Sequence, residues 1–149
     1  MIKLLFLSCI VTLGALACSD EPNVPTAEQL HRMTALRNQL RETLAKQYDV
    51  PVAAATETQL KRGQELYQQV CAPCHGVRGR GDGHTGQGLL GRPTDLTDPS
   101  HANFYSEQAR LHIIRKGVSG TPMMGWENVL TEEDIVAVYL YIRSLIKRK

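Results

Sequence analysis

Cys71-Ala72-Pro73-Cys74-His75-Gly76 decides how this chain is read. Two thiols are separated by two residues, and an imidazole follows the second at once. That spacing is the attachment signature of a c-type haem. Two thiols add to the two vinyl groups on one edge of a porphyrin, and the adjacent turn carries His75 below the ring as the proximal iron ligand. Two rival chemistries use cysteine pairs. A structural zinc site wants a second ligand pair at similar spacing, and none follows. A thioredoxin-like pair belongs in a βαβ pattern, and the chain has no convincing strands.

The segments around this motif read as helices and loops. Thr56 with Gln59 is a capping signal, and Leu60, Gly63, Leu66, Tyr67 and Val70 form the apolar stripe of a short helix that runs into Cys71. Further upstream, Thr26 with Gln29 is a second such signal. Leu30, Met33, Leu36, Leu40 and Leu44 recur at helical spacing and predict an amphipathic helix from Ala27 to Tyr48. Such a helix lies against the domain, spaces it from a membrane or binds a partner. Val50-Pro51-Val52 then breaks the pattern and reads as a hinge reaching Ala55. Downstream, seven glycines between Gly76 and Gly91 crowd one loop. No Gly-Lys-Ser/Thr sequence accompanies them, so this is not a phosphate loop. Thr131 caps a last helix, with Glu132, Glu133 and Asp134 in its first turn and Ile135, Val138, Tyr139, Ile142, Leu145 and Ile146 on its buried side. The fold class is all-α.

Composition narrows the functions. The chain has 149 residues, 42% hydrophobic and 21% charged, which suits one domain with some additional chain and excludes wholesale disorder. Its net charge of +2 is too balanced for a nucleic-acid binder. Aromatics make up only 5%, so the core needs another large apolar body or must stay small.

Residues 1–17 read as a secretory signal, with Lys3 ahead of an uncharged apolar run from Leu4 to Leu16. Ala15-Leu16-Ala17-Cys18 resembles a bacterial lipobox, although Ala15 stands where Leu is usual. The resemblance implies cleavage before Cys18, lipid on that residue and a periplasmic protein held at a membrane. Ser19 after Cys18 favours the outer membrane. Residues 18–55 are then tether, helix and hinge, and residues 56–149 the haem domain. Cys9 leaves with the signal.

From about Glu57 to Lys149 the chain resembles the class I cytochromes c. Three segments carry the resemblance: Gly63-Gln64-Glu65-Leu66-Tyr67 through Cys71–Gly76; Gly79-Arg80-Gly81-Asp82-Gly83 through Arg92-Pro93-Thr94-Asp95-Leu96; and Gly117-Val118-Ser119-Gly120-Thr121-Pro122-Met123 with Trp126 and the last helix. The family implies an all-helical fold round one covalent haem c, His/Met ligation and electron transfer. It places the methionine ligand at Met123, with Met124 the alternative. A proline carbonyl should accept a hydrogen bond from the proximal imidazole, which makes Pro93 the candidate. The first and last helices should cross at Gly63, with Tyr67 facing Tyr141, or Tyr139 as its rival.

These resemblances imply a one-electron carrier without a small-molecule substrate, anchored by lipid and exchanging electrons with redox proteins. Arg78, Arg80, Arg92, Arg110, Arg115 and Lys116 offer a basic rim for an acidic partner. Two other readings stay open on the sequence. One is a fixed cytochrome subunit of a respiratory oxidase, reductase or dehydrogenase complex. The other is a haem-based gas sensor or haem enzyme with an open sixth site. As sixth ligand, His84, His101 and His112 are the alternatives to the methionine and would give a lower potential.

Overall fold

Thr26 opens the first helix of the computed structural model, which describes residues 26–89 and 92–146. The signal segment and Cys18 lie outside the described residues. Helix α1 spans Ala27–Leu44. The Thr26 side chain accepts from the Gln29 amide, and Gln29 returns a bond to the Thr26 amide, closing the capping box that the sequence announces. The helix stops earlier than expected. Ala45 takes φ +46, a left-handed conformation unusual for a residue with a Cβ, and a tight turn covers Ala45–Gln47. That turn brings Tyr48 back under the helix, with the Arg41 guanidinium 4.4 Å above its ring.

Helix α2 spans Glu57–Leu66 behind a second capping box at Thr56. It widens into one π-helical turn at Tyr67–Cys71 and continues as the short α3, Ala72–His75. A short helix α4 follows at Pro99–Ala102, then α5 at Glu107–Lys116 and α6 at Glu132–Leu145. Ser106 and Thr131 cap the last two through their hydroxyls. Among the described residues there is no strand, only an isolated antiparallel bridge between Gly117 and Met124.

The main core lies where α2 crosses α6. Leu66, Tyr67, Cys71 and Ala72 pack on Ile135, Val138, Tyr139, Leu140 and Ile142, with Leu111 and Ile114 of α5 closing the third side. Gly63 sets the crossing distance, because a Cβ there would land on the Ala137 carbonyl and lie 2.9 Å from the Tyr141 Cβ. Next to it the Tyr67 and Tyr141 rings pack at 5.3 Å, tilted by 55°. Tyr141, not Tyr139, is therefore the ring across the crossing.

A second buried cluster explains α1. Leu40 and Tyr48 pack on Tyr105 and Ala109, with Met33, Leu36, Leu44, Phe104 and Ile113 around them. Arg37 stacks 4.3 Å over Phe104. So α1 lies against α5. The segment read as a hinge is tied down as well. Gln108 donates to the Val50 carbonyl, the Val52 amide donates to Glu107 at 2.7 Å, and Arg143 donates to the carbonyls of Val52 and Ala53.

Candidate haem site

Cys71 reaches the site at the end of the π-helical turn, where the Ala72 amide bonds to the Tyr67 carbonyl five residues back. The inserted residue advances the helix face by a part-turn, a feature frequent at functional sites. Cys71 and Cys74 are not joined in a disulfide. Burial, with Cys74 adding to it, pushes the Cys71 thiol up to about 12, so the site favours neutral sulfur. A thioether satisfies that demand at every pH.

The glycine loop closes on the motif through its backbone. The Gly81 amide donates to the His75 carbonyl at 2.8 Å, Gly83 to Cys74 at 3.2 Å and Thr85 to Pro73 at 2.9 Å. Three consecutive carbonyls at the end of α3 are thereby satisfied, as helix ends require. Gly81 has φ +72, and a Cβ there would strike the Pro93 carbonyl, so only glycine serves. From the other side, Tyr67, fully buried, donates its hydroxyl proton to the Gly76 carbonyl at 2.8 Å. This bond ties the helix crossing to the motif, and no sequence pattern announces it.

His75 is half-buried, and its Nδ1 lies 3.3 Å from the Thr94 carbonyl. That carbonyl can only accept, so Nδ1 carries the proton and Nε2 keeps its lone pair. Burial holds the imidazole below its usual value while the Thr94 carbonyl opposes the shift; the neutral form that binds metal is favoured. Pro93, the expected acceptor, is one residue out of place. Its carbonyl faces Gly81, because the chain alternates direction between neighbouring carbonyls and only the next one meets the imidazole.

The methionine loop begins at Gly117, which has φ +75. The Val118 amide donates to the Met123 carbonyl at 2.9 Å, and the Trp126 amide returns the chain to the carbonyls of Ile114 and Arg115. Met123 is half-buried, whereas Met124 is 59% exposed. His31 and His84 are exposed, and His112 and His101 are half-buried. Among the described residues no three His, Cys, Asp or Glu side chains gather into a metal cage, which leaves the zinc alternative without partners. The absence of strands among them removes the setting for a thioredoxin-like pair. Two sulfurs three residues apart, the first in a site that favours its neutral form, with an oriented neutral imidazole and glycine-close backbone, fit a porphyrin attached through two thioethers.

One residue group was not legible in the sequence. Glu107 accepts from Arg143 and from Tyr139, both at 2.9 Å, and Arg110 donates to the Tyr139 hydroxyl at 2.9 Å. Burial opposes ionisation of Glu107, but Arg143, the Val52 amide and Tyr139 together hold its carboxyl below the usual range.

The comparisons agree with this geometry. The family model for cytochrome c matches residues 60–145. Cytochrome c55X of Paracoccus denitrificans is 35% identical over 96 residues, which cover 60% of this chain and 77% of that protein. The cbb3-type cytochrome c oxidase subunit FixP of Bradyrhizobium diazoefficiens is 32% identical over 84 residues, covering 56% of this chain and 27% of the subunit. The chain thus spans about a quarter of FixP. Among solved structures, the Kuenenia stuttgartiensis reducing HAO-like protein complex aligns with TM-score 0.57 at 25% identity, over 66% of this chain and 48% of that one. The KustC0563 c-type cytochrome aligns with TM-score 0.50 at 30% identity, over 57% of this chain and 98% of its own. With a matched segment that runs from within α2 to the end of α6 and covers more than half of its length, the chain belongs to the cytochrome c family, with covalently bound haem c as its cofactor.

Proposed function

We propose that this protein is a periplasmic, membrane-anchored one-electron carrier with His75 and Met123 as axial ligands and thioethers at Cys71 and Cys74. The observation that carries the reading is the His75 imidazole, which is half-buried, favoured in its neutral form and oriented by the Thr94 carbonyl. Bound haem c supplies an iron that cycles between the ferric and ferrous states. The chain sets how readily it does so. A thioether from Met123 is a soft neutral donor that favours ferrous iron and raises the potential. The half-buried position of Met123 and the exposure of Met124 support the first over the second.

Met123→Ala should abolish the weak absorption band near the red end of the visible spectrum and lower the potential, while Met124→Ala should keep both. A band that survives Met123→Ala would remove that ligand. High-spin iron and carbon monoxide binding in the unaltered protein would favour the gas-sensor reading instead.

Lipid on Cys18 would hold the domain at the outer membrane, with residues 19–25 as tether. Cys18→Ser is expected to release the protein into the soluble periplasmic fraction; continued partition with membranes would end the lipid proposal. A second reading is a fixed subunit of a larger redox complex, supported by the matches to an oxidase subunit and to a multi-protein assembly. Mild detergent extraction separates the two, because a free carrier comes away alone.

A further inference from the structure

Tyr67 is fully buried, yet it ends in a hydroxyl. Its ring already packs against Tyr141 at the helix crossing, a contact that phenylalanine would make as well. A hydroxyl taken out of water is costly unless it is bonded, so its presence here has a reason beyond packing. That reason lies at the haem motif. The hydroxyl proton goes to the carbonyl of Gly76, the residue after the proximal histidine, at 2.8 Å.

Gly76 is where the backbone leaves α3. It takes φ +80 and has no Cβ to restrain it. Its carbonyl has two lone pairs and both are engaged, one by Tyr67 and the other by the Gly79 amide at 3.0 Å. The turn closed in this way passes the restraint on. The Gly79 carbonyl accepts from the Leu96 amide at 2.7 Å. Two residues before Leu96 stands Thr94, whose carbonyl takes the His75 Nδ1 proton. The Thr94 carbonyl and the Leu96 amide thus face the same stretch of chain, one at His75 and the other at Gly79. The pieces also touch: a Cβ placed on Gly79 would lie 3.5 Å from both the Tyr67 hydroxyl oxygen and the Leu96 Cβ.

The last bond in this series is the longest. Nδ1 and the Thr94 oxygen are 3.3 Å apart, just beyond the usual upper limit of about 3.2 Å. Small movements of the Thr94 carbonyl therefore decide how strong it is.

We propose that Tyr67 is a positioning residue for the proximal histidine: acting through Gly76, Gly79 and Leu96, its hydroxyl fixes the Thr94 carbonyl on His75 Nδ1 and thereby sets the reduction potential of the bound haem. An acceptor on the Nδ1 proton makes Nε2 the stronger donor, which favours ferric iron. Loosening that bond raises the potential. The inference rests on the reading of His75 as an axial ligand.

The test uses holoprotein carrying Tyr67→Phe, which removes the hydroxyl and keeps the ring. Ile135→Val is the comparison, because it thins the same core without removing a hydrogen bond. In the ferrous protein, ring-current-shifted carbon-bound protons of His75 report by NMR whether it sits against the haem, so failure of the ligand reading is seen separately. Two readouts then address Tyr67: the midpoint potential from a redox titration, and the exchange of the His75 Nδ1 proton with solvent deuterium. Tyr67→Phe should raise the potential and speed the exchange about fivefold, the factor expected from losing one ordinary hydrogen bond. Ile135→Val should leave both as they are in the unaltered protein. A potential that stays or falls in Tyr67→Phe, or an unmoved exchange rate, overturns the proposal, and so does an equal change in Ile135→Val. If Tyr67→Phe does not accumulate, Gly79→Ala strains the same turn at φ +76 and must move both readouts in the same direction; no change there overturns the proposal as well.

Discussion

Gly63→Ala is expected to cost the folded protein about 2–4 kcal/mol, although alanine is the better helix former. Helix propensity alone would favour the substitution by about 1 kcal/mol. The opposing effect is larger, because the added Cβ falls on the Ala137 backbone carbonyl and beside the root of the Tyr141 side chain. Neither can swing aside, so α2 and α6 must separate. Overpacking of this kind costs about 1–3 kcal/mol, and more where backbone must move. Separation also loosens the Tyr67–Tyr141 contact, and with it the bond from Tyr67 to the Gly76 carbonyl beside the haem motif. A domain of this size loses about 4–8 °C in melting temperature per kcal/mol, so denaturant and thermal unfolding of the holoprotein read the effect directly. A neutral or stabilising result would show that the crossing is not held at this distance.

The second large effect is expected at the thiols. With Cys71 and Cys74 both changed to serine, haem should no longer survive extraction into acidified organic solvent. Each single variant should retain it through the other sulfur. The double variant should also lose much of its helical signal. The largest fully buried side chains of the main core are Tyr67, Tyr139, Ile135 and Val138. A haem domain of roughly 90 residues is within the range where a core this small is marginal. The porphyrin supplies the missing apolar body, and its covalent link keeps that body at high effective concentration. Haem retained by the double variant after extraction would mean that the attachment runs through other residues.

Much of this was legible in the sequence because the signals are local. Each capping box at Thr26 and Thr56 lies within four residues, and both form as read. The spacing of Cys71, Cys74 and His75 spans one helical turn, which needs no knowledge of the rest of the chain. The crossing at Gly63 was legible through the family resemblance. Other features depend on residues far apart. The early stop of α1 at Ala45 follows from the pull of Tyr48 into its cluster with Tyr105 and Ala109. The acceptor for His75 moved from Pro93 to Thr94, because a one-residue change of register reverses which way a carbonyl points.

The sequence by itself determined that the chain is helical, that its chemistry sits at Cys71–His75 and that a haem is the body its sparse aromatics leave room for. Periodicity, capping and motif spacing are short-range properties, and each is written in a few consecutive residues. Only the tertiary structure decided that α1 packs on α5 and that Val50–Ala53 is bound to Glu107, Gln108 and Arg143. Those facts join residues up to 91 positions apart. Which side chains meet at such separations is set by helix crossing and burial, and neither is encoded at any single position.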